Sequence, residues 1–179
     1  GQIVLSIMAG ASIKLLQSSF PQATVFRTMP NLPLLCGQGM IGIADDPLVG
    51  KEWKEKVEGV MKELGRVYWL KESLMNAFTA LTGSNPAFIY LVIEAMIEAG
   101  ISLGLKAPIA QEYILGTIEG SVALLRKMDK SPEELRWQIC SPGGTTIAGL
   151  NELERQNVRA GITEGLIKTF ERASEMEGA

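Results

Sequence analysis

The residues of this chain best placed to do chemistry are Ser141-Pro142-Gly143-Gly144-Thr145-Thr146-Ile147. Proline and paired glycines exclude helix at that point. A helical apolar pattern resumes at once through Ile147, Leu150 and Leu153. A tight loop feeding a helix start points several N–H groups and a positive dipole end at one spot. That arrangement suits a carboxylate or a phosphate, with the hydroxyls of Thr145 and Thr146 alongside. By spacing alone, the same residues equally describe an ordinary glycine-rich turn with a threonine N-cap.

Composition removes several other chemistries. The 179 residues contain no histidine, which excludes histidine bases, histidine triads and histidine-ligated zinc. The two cysteines, Cys36 and Cys140, form no CxxC pair, so neither a disulfide scaffold nor a metal site is expected. Two free thiols fit a reducing cytoplasm. A net charge of −3 offers no basic face for nucleic acid. The most membrane-like run, Phe88 to Leu105, is interrupted by Glu94 and Glu98. Two carboxylates one turn apart are costly in lipid, so a buried or partner-facing soluble helix is expected rather than a membrane span. Gly1 to Gly10 is apolar but lacks the basic flank of a targeting segment.

The elements that must position the loop fall into two textures. Ile3 to Met8, Thr24 to Arg27, Met40 to Ala44 and Arg66 to Leu70 read as short buried strands. Helices are expected over Ala11 to Ser19 and over Pro47 to Leu64, where Val49, Trp53, Val57, Val60, Met61 and Leu64 recur at helical spacing. This is α/β texture over residues 1–70. Residues 71–179 read as all helix, about six helices in number. Leu74, Phe78 and Leu81 form a first stripe, and Asn85-Pro86 reads as the cap and first position of a long helix to about Leu105. Ser131-Pro132-Glu133-Glu134 is a capping box. Helices then follow over Thr146 to Arg155 and Val158 to Met176. Phe88 to Gly104 is apolar nearly all round, which implies an obligate helical dimer. Trp53, Trp69 and Trp137 read as core or interface.

Gly37-Gln38-Gly39-Met40-Ile41-Gly42 matches the dinucleotide fingerprint letter for letter. Its context is wrong, because these glycines precede a strand rather than follow one and open a helix. A plain loop is the better reading.

Four segments carry a family resemblance when taken in order: Ser6-Ile7-Met8-Ala9-Gly10, Arg27-Thr28-Met29-Pro30-Asn31-Leu32-Pro33, Thr79-Ala80-Leu81-Thr82-Gly83-Ser84-Asn85-Pro86-Ala87, and Ser141 to Ile147. Over nearly its whole length the chain resembles pyrroline-5-carboxylate reductase, which forms proline by reducing a cyclic imine with a nicotinamide cofactor. The resemblance implies the C-terminal half of a Rossmann-like domain over residues 1–70, then a helical dimerisation and substrate-binding domain over 71–179, interlocked with a second subunit in a homodimer or higher oligomer. It implies an active site between the two domains. The family's N-terminal portion, with its glycine-rich phosphate loop, is not in this sequence, so activity is expected to need that half. Asn76 stands where the family usually has aspartate, and Asn85 where it usually has glycine.

The resemblance also implies roles. The N–H groups of Gly143, Gly144 and Thr145, helped by Ser141, would hold the substrate carboxylate, and Thr146 would stand at the imine nitrogen. Ser84 and Asn85 would wall the substrate pocket. Ala9, Gly10, Met29, Pro30 and Asn31 would meet NADP or NAD at the strand ends, where ligands of open α/β sheets bind. Two other readings stay open: a catalytically silent helical dimerisation module, and a reductase of another imine.

Overall fold

The structure is a computed structural model and describes residues 1–177. The strand signals become β1 (Gln2–Ser6), β2 (Ala23–Met29), β3 (Gly39–Ala44) and β4 (Gly65–Leu70), side by side in that order. β1 and β2 run parallel, from Gln2 opposite Ala23 to Ser6 opposite Arg27. β3 and β4 run parallel, from Gly39 opposite Gly65 to Ala44 opposite Leu70. β2 and β3 are antiparallel, with Thr28 opposite Ile43 and Met29 opposite Gly42. Strand–helix alternation does not reveal that reversal, but connection length does. A parallel crossover needs a dozen or more residues and usually a helix, whereas residues 30–38 hold only the short 3-10 turn Leu32–Cys36.

Helix α1 (Ile13–Ser19) bridges β1 and β2, and α2 (Lys51–Lys62) bridges β3 and β4. Ser12 caps α1 by accepting the Leu15 N–H at 3.2 Å, so the helix begins after Ala11 rather than at it. α2 begins at Lys51, not Pro47. The Asp46 carboxylate accepts the Leu48 N–H at 2.9 Å and its carbonyl accepts the Val49 N–H. That local turn competes with helix.

The core lies on both faces of the sheet. Val25 joins Ile13, Leu16, Ala44 and Met75 on one side, and Phe26 joins Ile41, Ile43, Val57 and Met61 on the other. Neighbouring strand residues point to opposite faces, which is why one strand feeds both clusters. Trp53 and Trp69 pack on the second cluster, while Trp137 is half exposed. The fingerprint-like glycines serve packing: Gly39 opens β3, and a Cβ at Gly42 would stand 2.7 Å from the Phe78 ring.

The helical elements are α3 (Met75–Phe78), a π-helical turn (Thr79–Ser84), α4 (Asn85–Ser102), α5 (Ala107–Lys127), α6 (Pro132–Gln138), α7 (Thr145–Arg155) and α8 (Val158–Glu177). The capping box of α6 is present, with Glu134 N–H donating to Ser131 Oγ and Ser131 N–H to Glu134 Oε2. That hydrogen bond from the Ser131 backbone holds the Glu134 carboxyl below its ordinary range.

The chain groups into two compact units, Gly1–Ala87 with Glu164–Ala179, and Phe88–Thr163. Within the second, α4 and α5 meet closely, since a Cβ at Gly100 would stand 2.8 Å from that of Ala110. Much of this unit's apolar surface is uncovered: Leu91, Leu103, Tyr113, Trp137 and Ile139 are all more than half exposed. Among the described residues one helix, Glu72–Ser102, is long and apolar enough to cross a membrane by length and composition.

Candidate active site

The parallel pairing of β1 and β2 brings the residues after both strands to one sheet edge. Ala9 and Gly10 follow β1; Met29 ends β2, with Pro30 and Asn31 next. Gly10 has φ +77°, and a Cβ there would stand 3.0 Å from the backbone of Met176. Only glycine tolerates both conditions. A cavity of about 370 Å3 opens beside it, lined by Ala9, Thr79, Ser84, Thr169 and Met176 and also by Lys168 and Arg172. Those two cations pair along the helix with Glu171 and Glu175, at 2.6 and 2.7 Å.

Ser84 reaches this cavity from the π-helical turn. The sequence predicts that Asn85 caps a new helix; the structure corrects this. Asn85 has φ −58° and ψ −30°, and helix runs unbroken from Glu72 to Ser102. Pro86 is absorbed by widening the preceding turn rather than by starting afresh. An α-helix would join the Thr82 carbonyl to the N–H of residue 86, and proline has none. Asn31 Nδ2 donates to that carbonyl at 3.0 Å. Asn31 Oδ1 accepts the Met40 N–H at 2.8 Å, so both ends of the buried amide are committed to the protein.

A polar cluster behind the edge escaped the sequence reading. Arg27 is 2% exposed and donates to Glu177 at 2.6 Å, to Glu72 at 3.3 Å and to Asn76 Oδ1 at 3.0 Å. Asn76 Nδ2 donates to Glu177 Oε2 at 2.6 Å, and Glu72 accepts the Ile13 N–H at 2.6 Å, at the start of α1. Burial raises the Glu177 carboxyl, but the Arg27 and Asn76 hydrogen bonds and the Arg27 charge outweigh it and leave the group below its ordinary range. The available signal was an arginine inside the apolar run Val25 to Met29. Buried charges are paired.

The loop of the second compact unit is a turn followed directly by α7. Gly144 N–H donates to the Ser141 carbonyl at 3.0 Å, with Pro142 and Gly143 between them and Gly143 at φ +69°. This matches a type II turn, whose third residue needs positive φ. Gly144 is the N-cap, extended at φ −78° and ψ 173°, and no side chain caps the helix. Threonine is therefore not the cap. The donor set also changes: the Gly144 N–H is spent in the turn, so it is not free for a ligand. The unpaired first-turn donors are those of Thr145, Thr146 and Ile147. Ser141, Gly143, Thr145 and Thr146 are all exposed. Among the described residues no acidic, cysteine or histidine cluster could hold a metal ion.

A Rossmann-like strand-and-helix unit, followed by a helical unit with a glycine-rich helix start, is a two-part α/β and all-α architecture. Residues 72–176 match the pyrroline-5-carboxylate reductase dimerisation family. The chain is 36% identical over 174 residues to pyrroline-5-carboxylate reductase of Synechocystis, covering 97% of this chain and 65% of that protein. It is 36% identical to the Aquifex aeolicus enzyme, covering 97% and 66%. The crystal structure of Plasmodium falciparum pyrroline carboxylate reductase with NADP bound superposes with TM-score 0.93 at 31% identity, covering 98% of this chain and 71% of that one. The Streptococcus pyogenes enzyme gives 0.92 at 34%, covering 98% and 68%. The chain belongs to the pyrroline-5-carboxylate reductase family, and it spans just under two thirds of the length of these curated relatives.

Proposed function

We propose that the protein serves the reduction of 1-pyrroline-5-carboxylate to L-proline, with NADP(H) as the nicotinamide cofactor, as a cytoplasmic homodimer. The carrying observation is the Ser141–Gly144 turn, which leaves the N–H groups of Thr145, Thr146 and Ile147 at the positive end of α7. A planar carboxylate on a small ring suits such donors.

Reducing the imine adds hydride to its carbon and a proton to its nitrogen. The nicotinamide supplies the hydride when bound; position and electrostatics belong to the protein. Thr145 and Thr146 N–H groups fix the carboxylate and so the ring. The Thr146 hydroxyl holds the ring nitrogen by a hydrogen bond. A neutral threonine is a poor acid, so water delivers the proton. Ala9, Gly10 and Met29, with the Pro30–Asn31 backbone, form the nicotinamide-side edge. Ser84 walls the cavity beside that edge.

The homodimer reading rests on the exposed apolar residues of α4 and α5. A second copy of the same faces would cover them, with Glu94 and Glu98 at polar contacts rather than in lipid. The free thiols of Cys36 and Cys140 suit a reducing compartment. Coupled assay with 1-pyrroline-5-carboxylate and NADPH, on this chain joined to the family's N-terminal half, tests the reading. Cofactor binding with proline formation is expected. A stable dimer that neither binds cofactor nor forms proline would favour the silent module, and turnover of other cyclic imines alone would reassign the substrate.

A further inference from the structure

Asn31 stands beside the site, but its side chain faces the protein. Its amide lies 9% exposed and spans two segments far apart in sequence, accepting from Met40 N–H at the start of β3 and donating to the Thr82 carbonyl in the π-helical turn. That carbonyl is the one whose α-helical donor Pro86 removes. The π-helical turn it belongs to presents Thr79 and Ser84 to the same cavity as Ala9. The turn also sits close on Met29, since a Cβ at Gly83 would stand 3.4 Å from Met29 Sδ. Single π-helical turns inside α-helices recur at functional sites because they re-aim side chains that an α-turn would place elsewhere.

We propose that Asn31 is a positioning residue: through the Thr82 carbonyl it holds the widened Thr79–Ser84 turn open, and so sets where the Ser84 wall stands. Its side chain acts through Thr82, not by touching cofactor. The link to reaction rate rests on the reductase reading above; the hold on the turn does not. Pro86 and Asn31 form one device, the proline removing a donor within the helix and the asparagine supplying one from the sheet edge.

The test is a cycle of Asn31→Asp, Pro86→Ala and the double variant, read by amide hydrogen exchange and by steady-state kinetics. Aspartate keeps the acceptor for Met40 and loses the donor to Thr82. Exchange over Thr79–Ala87 is expected to rise roughly tenfold or more in Asn31→Asp, with β2 and β3 unchanged. Pro86→Ala restores a helical N–H, so protection returns in the double variant while kcat stays low, because the turn then tightens toward α-geometry. Unchanged exchange in Asn31→Asp, recovery of kcat together with protection, or a rise confined to the cofactor KM would each overturn the proposal. If Asn31→Asp does not fold, Pro86→Ala alone decides: raised protection with lowered kcat upholds the proposal, and unchanged kcat overturns it. If the unsubstituted protein reduces no imine, the reductase reading fails and exchange alone judges the hold on the turn. Protection lost in Asn31→Asp then upholds it, and protection kept overturns it.

Discussion

Arg27 on β2 and Glu177 at the end of α8 form an ion pair at 2.6 Å, with the guanidinium almost wholly buried. One strand of the sheet thereby grips a helix 150 residues later in the chain. The grip carries Met176 against Gly10, at the edge where the nicotinamide is proposed to lie. Breaking a buried pair from one side leaves an uncompensated charge. Arg27→Met is therefore expected to lower stability in urea by about 2–4 kcal/mol, below the full buried-pair cost because both carboxylates reach solvent. A loss within error of zero would show that the cluster holds nothing.

The same cluster sets an acid limit. Glu177 has its carboxyl depressed below the ordinary 4.5 in the folded protein. The folded state binds fewer protons there than the unfolded state, so the contribution is present above pH 4.5 and fades as pH falls through the lower folded value. Glu177→Gln should flatten that part of the stability–pH curve in chemical unfolding. A variant with the same acid slope as the parent would place the titrating group elsewhere.

The turn before α7 makes a separate demand. Gly143 at φ +69° is the position of that turn where an L side chain is strained. Gly143→Ala should cost roughly 1 kcal/mol in thermal unfolding, and it should weaken L-proline binding by calorimetry more than cofactor binding. Equal weakening of both would detach the turn from the carboxylate.

The exposed helices make a prediction about assembly. Leu91 on α4 is 64% exposed, in a helix apolar nearly all round. If a second copy covers that face, Leu91→Glu should shift light scattering toward monomer while far-ultraviolet dichroism stays helical. An unchanged mass would place the interface on another face.

Much of this was readable from residue order. Short apolar runs placed all four strands, and the Ser131-Pro132-Glu133-Glu134 motif placed the capping box of α6, because those signals are local. Out-of-context glycines at Gly37, Gly39 and Gly42 were correctly set aside for the same reason. Two of the misses were long-range. Asn85-Pro86 looks like a helix start because proline favours a first turn, and nothing nearby in sequence reveals that Asn31 supplies the missing donor. The Arg27 cluster joins residues 45, 49 and 150 positions apart, a distance no pattern spans. Gly144 looked like a free donor because only the folded turn shows its N–H spent on Ser141.

The most direct test is L-proline formation from 1-pyrroline-5-carboxylate and NADPH by the chain joined to the family's N-terminal half and by its Thr146→Val variant, with oligomeric mass measured alongside. Valine keeps the shape of threonine and removes the hydroxyl. Turnover by the parent is expected, with a fall of roughly a hundredfold in the variant, the scale of losing one preorganised donor at a reacting atom, and an unchanged mass. Equal rates in the two proteins, or no proline from the parent, would contradict the assignment of Thr146 and of the Ser141–Gly144 turn to the imino acid.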